Sequence, residues 1–138
     1  MRPCHTNPIS SGDSNEKTSV CIGGVDRLDF LFNADDSLAK RPVISSAPIT
    51  MQYGAQYTLE TSVSGFEIAS VVVIRPGATT HSFNTDQRMV GLVYTPTATG
   101  ITLTVPPNGN IAPPGYYMLF VVDTAGVPSV AAFVKVGL

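Results

Sequence analysis

Apolar and polar residues alternate along much of this chain in short runs, which is typical of β-strands. Every second residue from Tyr57 to Val63 is apolar or Thr, and the residues between them are polar, which predicts a half-buried strand over 56–63. Residues 68–74 are nearly continuous Val and Ile, which favours a strand in the middle of a sheet. No segment of ten or more residues has the 3.6-residue period of a helix, so the sequence predicts an all-β fold.

Turn residues divide the rest of the chain into five further predicted strands, which cover residues 42–48, 89–95, 101–105, 116–122 and 127–136. Pro42 and Pro48 place the first of these at a sheet edge, because proline donates no backbone hydrogen bond. Seven strands in about 95 residues, with turns at this spacing, predict an immunoglobulin-like β-sandwich.

Composition and charge fit one small domain. The chain has 138 residues, of which 43% are hydrophobic and 13% charged, and its net charge is −2. This balance gives no electrostatic basis for binding nucleic acid or an anionic membrane. No apolar run reaches the roughly 20 residues that span a bilayer. We therefore expect neither nucleic acid nor a membrane among the partners.

The first 30 residues are rich in Ser, Asn, Gly, Pro and Thr, which predicts an irregular or disordered leader before a domain over 31–138. Cys4 and Cys21 both lie in this leader. The two cysteines either form a disulfide or stay reduced, and the sequence leaves both states possible. A metal site made of both cysteines and His5 would not have a recognised spacing of ligands. The N-terminus lacks the apolar core of a signal peptide, so the compartment stays undetermined.

Candidate chemistry concentrates in the linker from Ile74 to Met89, which joins two predicted strands. It contains one His, one Asp, two Arg, one Asn, one Gln and three Thr. Loops on a rigid scaffold commonly carry function. His81 is either a metal ligand or a solvated side chain. Asp86 with Arg88 could be a catalytic pair, but an ion pair or a backbone clamp within the loop is far more common.

Four aromatic residues near the C-terminus are a second candidate: Tyr116, Tyr117, Phe120 and Phe133. They could form a platform for a sugar ring, but aromatic residues in strands are more often part of the core, which is the role we expect. No Ser-His-Asp or Cys-His arrangement can be assembled from the remaining residues, and glycine-rich phosphate loops are absent from the sequence.

Two segments resemble a known family. They are residues 75–90 (RPGATTHSFNTDQRMV) and 109–130 (GNIAPPGYYMLFVVDTAGVPSV). Their order and spacing are similar to those of the C-terminal early-set, immunoglobulin-like domain of galactose oxidase and glyoxal oxidase, the copper radical oxidases. The likeness runs from about residue 31 to residue 138.

The resemblance implies a role for the linker. In that family a loop of the early-set domain enters the central channel of a seven-bladed, kelch-like propeller and gives one histidine to copper. The matching residue is His81, and its neighbours Thr80, Asp86, Gln87 and Arg88 would support the loop around it. The other copper ligands belong to the propeller, which would be present in the same polypeptide or in another.

The resemblance therefore implies a non-catalytic accessory domain. The parent enzyme would oxidise primary alcohols or aldehydes with O₂ to give H₂O₂, and the domain alone would bind no copper usefully and not be active. The family is largely secreted or extracytoplasmic. A free-standing immunoglobulin-like interaction module that kept the fold and lost the chemistry is the alternative.

Docking on a propeller further implies that the domain has an exposed apolar face. The apolar segment that precedes the predicted sandwich contains candidate residues for this face, namely Leu28, Phe30, Leu31 and Phe32. We expect these side chains to take part in the docking surface.

Overall fold

The computed structural model describes residues 31–33, 35 and 37–137. The predicted leader over residues 1–30, including both cysteines and His5, lies outside these residues. The strands are β1 (Ile44–Ser46), β2 (Thr50–Met51), β3 (Gln56–Thr61), β4 (Ile68–Arg75), β5 (Thr79–Thr80), β6 (Phe83–Asn84), β7 (Arg88–Gly91), β8 (Val93–Thr97), β9 (Gly100–Thr104), β10 (Gly115–Asp123) and β11 (Ala132–Val136). A short 3-10 helix, Gly65–Glu67, precedes β4.

Two sheets and a small hairpin account for these strands. One sheet has the order β1-β3-β9-β8, and the other has the order β2-β11-β10-β4-β7. All pairs within the two sheets are antiparallel except β2 with β11, which is parallel. β5 and β6 pair only with each other. The all-β sandwich prediction is confirmed, with β1 at the predicted edge and β4 inside a sheet.

The core lies between the two sheets, where alternate residues of each strand point inward. Leu59, Ile101 and Leu103 come from the four-stranded sheet, and Val73 and Leu119 face them from the other, all fully buried. Each buried aliphatic side chain contributes about 1.5–3 kcal/mol through removal from water. The polar residues of the predicted strand over 56–63 are exposed, as the alternation predicted.

The predicted strand over residues 89–95 is wrong as a single element, because the chain changes sheets within it. β7 ends at Gly91 beside β4, and β8 begins at Val93 beside β9. Leu92 lies between them and donates its backbone N–H to the Val71 carbonyl at 2.9 Å. The alternation continues across the crossing because both sheets face the same core.

The last predicted strand, over residues 127–136, is also shorter in the structure, where β11 covers only Ala132–Val136. Ser129 is fully buried, and its hydroxyl accepts a hydrogen bond from the Val121 N–H at 3.1 Å. Arg41 donates to the carbonyls of Pro128 and Ser129, at 2.8 and 2.5 Å. Backbone hydrogen bonds from Asp123 N–H to the Val127 carbonyl and from Ser129 N–H to the Val121 carbonyl still pair this part of the chain with β10, and the two side chains add to them.

The outer face of the five-stranded sheet is apolar. A row of paired residues, Phe133, Met118, Ile74 and Met89, crosses four strands from β11 to β7. Phe133 is 65% exposed and Met89 is 70% exposed. Apolar residues this exposed and this close together form a patch that water covers poorly.

The expectation that four aromatic residues belong to the core is confirmed only for Tyr117, which is fully buried. Tyr116 and Phe133 are largely exposed and Phe120 is half-buried. Successive strand residues point to opposite faces, so Tyr116 and Tyr117 cannot both face the core. Leu31 and Phe32 are half-buried, while Leu28 and Phe30 lie outside the described residues.

A close backbone contact joins the 3-10 helix to the four-stranded sheet. A Cβ atom at Gly65 would collide with the Gly100 carbonyl oxygen, and one at Gly100 would collide with the Leu59 carbonyl oxygen. Ser64 caps the short helix, and its backbone N–H donates to the Glu67 carboxylate at 3.0 Å. Glycine at both positions lets β3, β9 and the helix meet.

Candidate functional site

The linker between β4 and β7 forms a protruding ribbon, which we call the finger (residues 76–87). Arg75 and Arg88 are the last paired residues of the five-stranded sheet before it begins. Beyond them, Thr79 pairs with Asn84 and Thr80 with Phe83 in an antiparallel hairpin. The finger therefore continues the β4–β7 pair away from the sandwich, and within the described residues no helix or third strand pairs with it.

His81 and Ser82 form the two-residue tip of this hairpin. Their φ angles are 54° and 67°, both in the left-handed region. Two residues with positive φ between paired strands define a type I′ turn, whose twist matches that of the strands and which favours Asn and Gly. Left-handed backbone costs a non-glycine residue roughly 1–2 kcal/mol. Local strain of this kind is found preferentially at functional positions.

The finger is exposed along its whole length. Every residue from Pro76 to Met89 is exposed, including Phe83, which is 73% exposed. Four residues separate Arg75 from Thr80, so at about 3.4 Å for each of the five steps the tip reaches at most roughly 17 Å beyond the sheet. Residues 76–85 include no Asp, Glu, Lys or Arg. The distal finger is thus a narrow, uncharged projection that ends in an imidazole.

Hydrogen bonds within the finger support its returning limb and join it to the outgoing limb. The Asn84 side chain donates to Gln87 Oε1 at 2.7 Å and accepts from the Gln87 backbone N–H at 3.3 Å. The Thr85 N–H donates to the Ala78 carbonyl at 3.3 Å. A Cβ atom at Gly77 would lie 2.7 Å from the Asn84 amide, so glycine leaves room for that side chain.

Two arginines join the base of the finger to the sandwich. Arg75 Nη2 lies 3.5 Å from the Asp86 carboxylate. Arg88 Nη1 donates to the backbone carbonyls of Asn110 and Ile111, at 3.1 and 3.2 Å. Asp86 therefore pairs with Arg75, and the interpretation of Asp86 and Arg88 as a pair is wrong. Arg88 is a backbone clamp, but on the loop between β9 and β10.

The structure places the candidate residues at different distances along the finger. Thr80 adjoins His81 at the tip, whereas Asp86, Gln87 and Arg88 belong to the base. Among the described residues none forms a hydrogen bond to His81, so any support reaches it through the ribbon. Sequence reasoning did not identify Arg75 or Asn84, although both lie in the segment 75–90 that carries the family resemblance.

His81 offers one imidazole donor to a metal. Within residues 31–33, 35 and 37–137, no group of three or more His, Cys, Asp or Glu side chains could hold a metal ion. A neutral imidazole at an accessible tip suits Cu(II), which prefers nitrogen and oxygen ligands in a tetragonal arrangement. The donor type fits copper, and the described residues offer no further ligands beside it.

The family model described as "Galactose oxidase-like, Early set domain" matches residues 41–136. The chain belongs to this family. The early-set match begins at Arg41, before β1, and ends with the last residue of β11. It therefore includes both sheets and the whole finger, which confirms the resemblance found in the sequence.

Relatives of this early-set domain include oxidases from a fungus and a plant. The galactose oxidase of Gibberella zeae is 38% identical over 110 residues, which cover 78% of this chain and 16% of that protein. The aldehyde oxidase GLOX of Vitis pseudoreticulata is 43% identical over 115 residues, covering 78% of this chain and 21% of that protein.

A solved structure of an oxidase is also similar to this chain. It is described as a novel fungal alcohol oxidase of the AA5 family in complex with copper, and it matches with a TM-score of 0.71 and 42% identity. The match covers 79% of this chain and 23% of that one. The chain thus spans about a sixth to a quarter of the length of these relatives. Among the residues described, no helix is both long and apolar enough to cross a membrane.

Proposed function

We propose that this early-set domain supplies His81 as one copper ligand to a copper radical oxidase whose other ligands come from a propeller domain. The propeller would be part of the same polypeptide or of a separate one. The observation that carries the proposal is the position of His81, which lies at the tip of an exposed, uncharged hairpin and has no partner among the described residues. The parent enzyme would oxidise primary alcohols or aldehydes with O₂ and release H₂O₂.

The composition of the finger supports insertion into a channel. Burying a charge without a partner is costly, whereas a ribbon of small and neutral residues enters a narrow cavity at little cost. The charged residues Asp86 and Arg88 stand at the base, where they would remain at the mouth of the channel. Phe83, paired with Thr80 beside the tip, would lose its contact with water on insertion.

The copper ion would supply the electron-transfer and oxygen chemistry of the reaction. The role of this chain is to position one imidazole nitrogen of His81 and to keep it available for coordination. Because His81 contributes only one donor, the domain by itself should bind copper weakly. We expect catalysis to require the propeller.

The outer face of the five-stranded sheet supports docking on a larger body. Its exposed row includes Met89, which directly follows Arg88 at the base of the finger. A partner that binds the finger would therefore lie close to this apolar row and could cover it. A free-standing interaction module would use the same face, but it would leave His81 without a role.

A reconstitution experiment tests the proposal. The full chain is mixed with a copper radical oxidase propeller that lacks its own early-set domain, and copper retained after gel filtration is measured. We expect a stoichiometric copper complex, and we expect His81→Ala to lower copper affinity by at least about 100-fold, the upper range for loss of a supporting partner. The control is His5→Ala. Equal copper retention by the His81→Ala complex would contradict the proposed role.

A further inference from the structure

Arg75 stands where the finger leaves the sandwich. It is the last residue of β4 and pairs directly with Arg88, the first residue of β7. Residues opposite each other in an antiparallel pair point to the same face, and like charges in that arrangement repel each other. The two arginines must therefore be held apart by different partners, and they are: Arg88 binds carbonyls of the loop between β9 and β10, and Arg75 binds Asp86.

The guanidinium of Arg75 also contacts the interior of the domain. Burial raises the pKa of the Tyr117 hydroxyl, and Arg75 opposes that rise through hydrogen bonding and its positive charge. Tyr117 is fully buried, and its hydroxyl donates to the Pro113 carbonyl at 2.7 Å. A Cβ atom at Gly115 would lie 3.5 Å from Arg75 Nη2, so the guanidinium packs across that glycine.

Few other contacts fix the direction of the finger. Among the described residues of the finger (76–87), only Asp86 has a side chain in polar contact with the sandwich, and that contact is with Arg75. The hydrogen bonds of Asn84 and Thr85 are internal to the finger. An isolated two-stranded ribbon is marginally stable in water and twists readily. Its angle to the sandwich therefore depends on the base.

We infer that Arg75 is a positioning residue that joins Asp86 of the finger to the start of β10 at Gly115 and so sets where His81 is presented. Its side chain is 24% exposed and that of Asp86 is 45% exposed. A pair this exposed adds little to global stability. The ion pair instead affects the orientation of the finger, because one contact at the base is enough to restrict the angle between finger and sandwich. The functional consequence rests on the proposed role of His81 as a ligand.

The inference is tested on the full chain by NMR relaxation of the backbone amides of residues 79–85. In the wild type we expect order parameters above about 0.6, the upper limit for flexible backbone. Arg75→Met should lower them below that value, while Arg75→Lys, which keeps the charge, should restore part of the difference. Asp86→Asn should act in the same direction as Arg75→Met.

Arg41→Met is the matched control. Arg41 also joins two segments through backbone carbonyls, but at Pro128 and Ser129, which lie away from the finger in the sequence. This variant should lower the unfolding midpoint and leave the order parameters of the finger unchanged. Unchanged finger order in Arg75→Met would overturn the inference, and so would equal loosening by Arg41→Met.

Copper spectroscopy separates positioning from ligation. In the reconstituted complex, Arg75→Met should broaden the Cu(II) EPR signal through a wider range of geometries and keep the nitrogen coupling of His81. A signal as narrow as that of the wild type would overturn the inference. The relaxation experiment contains no copper, so its result does not depend on the proposed function. If the finger of Arg75→Met is more mobile but no copper complex can be reconstituted, the proposed function is contradicted and the inference about Arg75 stands.

Discussion

His81 and Ser82 both adopt left-handed backbone angles, with φ of 54° and 67°, although neither is Asn or Gly. A turn of this type is required to reverse the ribbon after only two residues. The imidazole is thereby placed at the extreme end of the hairpin instead of along one side. The strain at the tip is consistent with selection for the side chain of His81 and not for the easiest turn.

Ser82→Gly tests this strain. Glycine adopts positive φ freely but loses more conformational entropy on folding, so we expect a net stabilisation of about 0.5–1 kcal/mol. The measurement is the midpoint of urea unfolding at an unchanged m-value. Thr80→Gly is the control, because Thr80 lies in a strand, where glycine destabilises. A Ser82→Gly variant no more stable than the wild type would contradict the assignment of strain.

Tyr117 gives the domain a pH dependence at high pH. Burial raises its pKa in the folded protein above the usual value of 10.0. Above pH 10.0 the unfolded chain releases this proton more readily than the folded one, so stability falls until the pH passes the folded pKa. Tyr117→Phe should show a smaller loss between pH 10 and 11 in urea unfolding, and an identical loss in both proteins would show that Tyr117 is not the cause.

The sequence alone does not show which arginine at the base of the finger pairs with Asp86. The sequence places His81, Asp86 and Arg88 close together and suggests that the last two pair. The structure puts Arg75 and Arg88 side by side, so that Asp86 pairs with the arginine eleven positions away. The spacing of charges along the sequence does not tell which arginine pairs with Asp86, because Arg88 is held instead by carbonyls of the loop between β9 and β10.

At the scale of elements, the strands were predictable wherever one face is buried. Gln56–Thr61 and Ile68–Arg75 follow the alternating and continuous apolar patterns that predicted them. The crossing at Leu92 was not predictable, since both sheets face one core and the period of two continues unchanged through it. The hairpin of β5 and β6 has no buried face, so hydrophobic pattern gives no signal for it.

The contact between the 3-10 helix and the four-stranded sheet leads to a prediction about glycine. Gly65→Ala would force a methyl group against the Gly100 carbonyl and should cost about 3 kcal/mol or more. Gly91→Ala is the control, because a Cβ atom there meets nothing within 4 Å, and its effect should stay within about 0.5 kcal/mol. Thermal unfolding measures both, and similar losses in the two variants would contradict the close approach.

In the part of the chain that the structure describes, a well-packed sandwich carries two exposed surfaces, the finger and the apolar row from Phe133 to Met89. Composition and periodicity predicted the sandwich but could not predict these surfaces, because exposed residues follow no folding constraint. The family resemblance supplied the interpretation of the finger. This chain spans about a sixth to a quarter of the length of these oxidase relatives.

Isotope-edited EPR tests the central claim most directly. The full chain, labelled with ¹⁵N at histidine, is combined with an unlabelled copper radical oxidase propeller and Cu(II). If His81 is a ligand, the nitrogen hyperfine pattern must change from that of the unlabelled complex by the replacement of one ¹⁴N, and His81→Ala must abolish the change. A copper spectrum that is insensitive both to the label and to the substitution would contradict the account.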